Sequence, residues 1–171
     1  MRKFGCLMVL ITALHAGCGD DDNDNRFRDA PVVVVETFTA TLTTGAAVPV
    51  CAAAGASATG SATVVLSQDR SQVIVESLTF SGLSGPVRAI QIHDAAPGVA
   101  GPTIFDFGTT LTPPITRTFT VVDFPTPAPA GGPASFDAFV RDLEAGNAYI
   151  KIVTDECPAG EIRGQLVRAN P

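Results

Sequence analysis

Charge is scarce in this sequence. Charged residues make up 16% of 171, against roughly a quarter in an ordinary soluble domain. The 11 lysines and arginines form no cluster, which excludes a nucleic-acid surface, because phosphate binding needs a basic patch. Catalytic signatures are missing too. "GASATG" (Gly55–Gly60) and "SGLSG" (Ser81–Gly85) both miss the Gly-x-Ser-x-Gly spacing of a nucleophile elbow. No glycine loop leads into a phosphate-binding lysine. The four cysteines contain no Cys-x-x-Cys pair, and histidine occurs only twice. Tryptophan is absent and long polar helix formers are few. Threonine, valine, alanine and glycine dominate instead, a balance that favours short half-buried strands.

The N-terminus, "MRKFGCLMVLITALHAGC", has the form of a processing signal. Arg2 and Lys3 precede an almost wholly apolar run from Phe4 to Leu14, long enough for a secretory signal and short for a transmembrane helix. Ala16 and Gly17 then precede Cys18. This segment resembles a bacterial lipobox, whose cysteine takes a diacylglycerol thioether and becomes the new first residue. His15 stands where such motifs usually carry leucine, and Leu14 lies one place further back. Cleavage by the ordinary signal peptidase is the competing reading. The division expected is a signal peptide at 1–17, a lipidated Cys18 with an acidic tether at 18–31, and a domain at 32–171.

The tether, "GDDDNDNRFRDAP", carries a run of like charges that cannot bury itself. Asp20, Asp22 and Asp24 match the first three ligand positions of a calcium loop. Asn25 stands where that loop needs glycine, however, and Pro31 where it needs a bidentate glutamate. A spacer is the reading adopted. Removing residues 1–17 removes Arg2 and Lys3, which takes the formal charge from −6 to −8.

With Cys6 lost in the signal and Cys18 spent on lipid, Cys51 and Cys157 remain, an even pair in an oxidising compartment. A disulfide between them is expected, with a reactive or metal-binding thiol pair as the alternative.

Period-two patterning runs through the rest. In "ETFTATLTT", Phe38, Ala40 and Leu42 share one face and Thr37, Thr39 and Thr41 the other. Residues 60–80 read as a hairpin turning near Gln68–Ser71, with Ile74, Leu78 and Phe80 on one side. "VRAIQIHDA", "PTIFDFG" and "TRTFTVVDF" add strands around the turn "APGVAG" and ahead of the proline-rich loop "PTPAPAGGP". One helix is expected. Phe136, Phe139, Val140 and Leu143 fall at helical spacing, with Ser135 as N-cap and Gly146 as the stop. "AYIKIVT" and "GEIRGQLV" complete the set. The fold class expected is all-β, an antiparallel Greek-key-like sandwich with one short helix.

Several blocks, in order, resemble the CHRD domain family, which was first named for repeats in chordin and is common in bacterial exported proteins. They are "LTTGAAVP", "SATGSATVVL", "LTFSGLSGPVRAIQIHDAAPGVAGP", "LEAGNAYIKIVT" and "PAGEIRGQL", between about Phe38 and Val167. The resemblance implies an all-β sandwich with some likeness to copper/zinc superoxide dismutase, and Gly160, Glu161, Arg163 and Gly164 as family-motif residues. It also draws attention to departures. The family usually carries His-Ile-His where this chain has Gln91-Ile92-His93, and another histidine where it has Val153. The family's "YVNVHT" is "YIKIVT" here, with Lys151 in place of its asparagine.

His93 is therefore the candidate metal ligand, with Asp94 or Asp106 beside it. A zinc or copper site needs three or four ligands, and Asp94 follows His93 directly, so the two point to opposite faces of a strand. No metal and no cofactor are expected. Glu161 and Arg163, two apart on one face, are expected to pair with each other or across the sheet as a structural clasp. The function expected is a lipid-anchored, non-catalytic binding or structural module of the bacterial cell envelope. Its partners would be the membrane, through the lipid, and an envelope protein or glycan. A degenerate copper/zinc metalloprotein is the alternative.

Overall fold

A computed structural model describes residues 36–55, 57–108 and 112–169. Cys18 and the acidic segment with Asp20, Asp22, Asp24, Asn25 and Pro31 lie outside the described residues.

The described residues form nine strands and one α-helix. The strands are β1 (Glu36–Thr43), β2 (Thr59–Leu66), β3 (Gln72–Ser81), β4 (Val87–Asp94), β5 (Thr103–Asp106), β6 (Ile115–Thr120), β7 (Ala148–Thr154), β8 (Ile162–Gln165) and β9 (Val167–Arg168). Helix α1 (Phe136–Glu144) separates β6 from β7. All pairings are antiparallel, in the order β5-β4-β7-β8-β1-β2-β3-β6, and β9 also pairs with β1. After β3 the chain crosses to β4 in the other half of the sheet and returns at β6, a Greek-key-like path.

Alternation sets this architecture. Phe38, Ala40 and Leu42 of β1 are buried while Thr39, Thr41 and Thr43 are exposed. Ala148, Ile150 and Ile152 of β7 face inward with Ile90 and Ile92 of β4, and residues from both halves of the sheet join one core. The two halves meet along β8 and β9, which are nearly continuous. β8 pairs mainly with β7, and β9 pairs with β1. Among the described residues, β5 and β6 end the strand order unpaired with each other, and rings fill the seam between them. Phe105 stacks on Phe119 at 4.6 Å, and Phe136 and Phe139 of α1 meet Phe105 edge-on at 6.2 and 5.2 Å. Edge-to-face and offset contacts are the favoured aromatic geometries.

The helix forms as its spacing predicts. The Ser135 hydroxyl accepts from the Ala138 N–H, and the four apolar residues at helical spacing are buried. The hairpin turn also falls where expected, with Arg70 N–H donating to the Ser67 carbonyl. The face assignment on β3 is corrected. The register shifts between Val75 and Leu78, so Val73 and Val75 point inward before the shift and Leu78 after it, while Ile74 faces outward. One extra residue in a strand reverses the parity beyond it, and composition does not mark where it falls.

Gly164 lies where two backbones approach. A Cβ there would stand 2.7 Å from the Thr41 carbonyl oxygen, which is why glycine stands beside the point where β8 pairs with β1 through Arg163 and Thr43. Gly164→Val is expected to destabilise the fold by about 1–3 kcal/mol through overpacking, read as a lower urea midpoint.

The registers also sort the loops between two ends. Glu36 lies opposite Leu66, Gln72 opposite Thr120, and Asp94 opposite Ala148. The chain therefore enters at the same end as turn 67–71, loop 95–102 and loop 121–135. The opposite end carries loops 44–58, 82–86 and 155–161, with the disulfide between Cys51 and Cys157.

Candidate functional site

Eight polar residues of β4, β5, β7 and β8 lie on the outer face of their half of the sheet. Cross-strand registers form two rows. Asp106, Gln91, Lys151 and Arg163 are side by side, and next to them run Thr103, His93, Tyr149 and Gln165. Loop 95–102 folds back over the second row, in which His93 and Tyr149 are buried.

That burial gives these side chains one shared task. The His93 ring stacks on Tyr149 at 4.9 Å, nearly parallel, and the Arg163 guanidinium lies 3.5 Å from the centre of the Tyr149 ring on a cation–π contact. Each member also holds the loop. His93 Nδ1 meets the Gly101 carbonyl at 2.9 Å, and Gly101 N–H donates to the Tyr149 hydroxyl at 3.1 Å. Arg163 donates to the carbonyls of Val99 (2.7 Å) and Ala96 (3.2 Å). Gln165 donates to the carbonyls of Ala95 (2.9 Å) and Gly146 (2.7 Å). Arg163→Ala is expected to cost about 2–3 kcal/mol, since hydrogen bonds from a charged donor are the strong kind. Faster amide exchange should follow in residues 95–101, and an unchanged exchange profile would refute the assignment.

Glu161 does comparable work at the other end. It is fully buried, with no cationic partner among the described residues. Its Oε1 accepts from the N–H groups of Gly55 (3.2 Å) and Ser84 (2.7 Å), and its Oε2 from the hydroxyls of Ser84 (2.8 Å) and Thr154 (2.7 Å). Burial pushes the carboxyl up, but the hydrogen bonds outweigh it and hold the group below its ordinary value. Thr154 passes the connection on by accepting from Cys157 N–H at 3.2 Å. Glu161 and the disulfide thus fasten the same pair of loops. Gly160 makes the turn into this segment at φ +120°, with the stem of Lys151 packed over it.

Of the two expected arrangements, Glu161 and Arg163 do not pair with each other, while Glu161 does bond across the sheet, to the Thr154 hydroxyl of β7. Each binds a separate set of loop groups at opposite ends of the domain, because loops fold over both ends of β8 and offer nearer partners. The two family-motif charges are clasps, but two independent ones. Sequence reading missed Tyr149, Gln165, Ser84 and Thr154 as clasp residues. Parity was the available signal, since Tyr149, Arg163 and Gln165 share the outward face.

The metal reading finds little support in the donor set. Gln91 stands between Asp106 and His93, donating to Asp106 Oδ2 at 2.8 Å with its carbonyl oxygen 3.2 Å from His93 Nε2. Both ring nitrogens of His93 therefore face protein groups. Burial, with the nearby charges of Lys151 and Arg163, pushes His93 down to about 4. Lys151 is itself lowered by burial and by Arg163. Asp94 lies on the other face of β4, where burial and the neighbouring Asp142 push it up to about 6. No three His, Cys, Asp or Glu side chains converge among the described residues. A buried imidazole beside two cations does not fit a zinc or copper ion.

These features define an all-β module closed by the Cys51–Cys157 disulfide, with buried charges spent on shaping its loops. The CHRD domain model matches residues 38–166, most of the chain, and the protein belongs to the CHRD domain family. No curated protein and no solved structure matches the chain.

Proposed function

We propose that this protein is an exported, lipid-anchored CHRD module that acts without catalysis, displaying rigid loops in the bacterial cell envelope. One observation carries the reading. His93, Tyr149, Arg163, Gln165 and Glu161, the side chains best equipped for chemistry, direct their polar atoms to loop backbone and neighbouring hydroxyls. Groups spent in this way hold a scaffold, and binding resides on loops that a scaffold keeps in place. The lipobox-like segment before Cys18 and the acidic residues after it support the anchor.

Mass spectrometry of the native protein is expected to show an acylated Cys18 as the first residue, and an unmodified mature start would remove the anchor from this reading. Elemental analysis of metal-exposed protein is expected to find no stoichiometric zinc or copper. Bound metal that disappears in His93→Ala would replace the reading with the metalloprotein alternative.

A further inference from the structure

The turn "APGVAG" and the proline-rich loop "PTPAPAGGP" come together in the fold. Both leave the end of the domain at which the chain enters. The Pro102 ring lies so close to Gly132 that a Cβ there would stand 2.8 Å from it. Residues 95–105 and 124–136 contain no charged side chain. The same end carries the most exposed valines at that face: Val122 is 88% exposed, Val121 67% and Val99 54%.

Loop 95–101 is also unusual in what lies beneath it. The carbonyls of Ala95, Ala96, Val99 and Gly101 are bonded by side chains or backbone from the protein side, as are the N–H groups of Ala95, Val99 and Gly101. Pressing this loop into a medium without water leaves those groups satisfied, and unsatisfied backbone is the main cost of such a transfer. Several charged groups at this end are likewise tied to the protein. Asp69 accepts from Ser67 and Ser71, Asp123 caps Thr120, and Arg70 pairs with Glu144.

We propose that this end is a lipid-facing surface, with Val99, Val121, Val122 and the two uncharged loops resting against the membrane that holds the anchor. The inference rests on the anchoring reading above. Eighteen residues run from Cys18 to Val35, and they span at most about 60 Å. They join the domain at this end and keep it close to the bilayer. A tether that short supplies an effective concentration of about millimolar, so weak apolar contact suffices. The loops therefore act by resting on lipid, and an envelope partner would meet the opposite end or the sheet faces.

The chain has no tryptophan, so one introduced indole is a unique probe. Full-length acylated Val122→Trp, Val99→Trp and Val50→Trp are reconstituted in phosphatidylethanolamine–phosphatidylglycerol vesicles, with and without bromine on the acyl chains. Val50 is 62% exposed at the opposite end, which controls for the added indole. Expected are blue-shifted emission and loss of most of it to bromine at positions 122 and 99, with water-like emission at 50. If the acylated chain floats with the vesicles yet all three probes stay water-like, the lipid-facing surface is overturned and the anchor stands. If residue 18 is unmodified and the chain does not float, the anchoring reading fails and takes this inference with it.

Discussion

Reducing the disulfide, or replacing Cys51 and Cys157 together by serine, is expected to lower stability by about 4–5 kcal/mol. The cysteines are 106 residues apart, so the bridge closes most of the domain into one loop. In the chain-entropy account, that loop restricts the unfolded chain far more than the folded one. The folded state keeps another hold on the same loops, because Glu161 still bonds Gly55 and Ser84. The fold is expected to survive reduction with its secondary structure intact and a lower urea midpoint. The slope of the transition should steepen, since the released unfolded chain exposes more surface. Urea titrations with and without reductant measure both quantities, and coincident curves would show that the cysteines do not bridge.

Glu161→Ala is expected to cost about 3–5 kcal/mol, the range for removing one side of a buried charged network. Four donors lose their acceptor at once, from Gly55, Ser84 and Thr154. Glu161→Gln keeps the volume but turns an amide N–H₂ toward donors, so it should recover only part of the loss. The carboxyl also has a pH signature. Its folded pKa lies below the ordinary value of 4.5, so the unfolded state takes up the proton first as pH falls. The contribution of Glu161 is present above 4.5 and disappears on further acidification through the folded value. Unfolding titrations from pH 6 downward should show an acid-side loss in the native protein that is missing in Glu161→Gln. Equal slopes in the two proteins would remove Glu161 from the account. Because the bridge and the carboxylate act on the same loops, their combined loss is expected to be non-additive.

Much of the fold was legible because period-two alternation is a local property. Phe38, Ala40 and Leu42, or Ile150 and Ile152, announce their face whatever surrounds them. Helix α1 was legible for the same reason, since its cap, its apolar stripe and its stop lie within a dozen residues. Val73 and Val75 mark the limit. A bulge in β3 is a response to the partner strands, and reading β3 alone put Ile74 on the wrong side.

The site was less legible. His93 looked like a lone imidazole and Glu161 with Arg163 like a pair two residues apart. What each of them binds is a loop 50 or more residues away in several cases: Arg163 meets Val99, and Glu161 meets Ser84 and Gly55. Such partners are chosen by which loop the topology lays over which strand end, and no spacing rule encodes that.

The sequence by itself determined the class of fold, the helix and most of the strands, and the bridging of Cys51 to Cys157. Each depends on composition or on residues close together in the chain. Only the tertiary structure decided that the motif charges of β8 are two separate clasps, and that His93 lies stacked under a loop. It alone also placed two uncharged loops beside the point where the chain enters. Those facts depend on which segments meet once the sheet closes, and long-range contact of that kind is a property of packing.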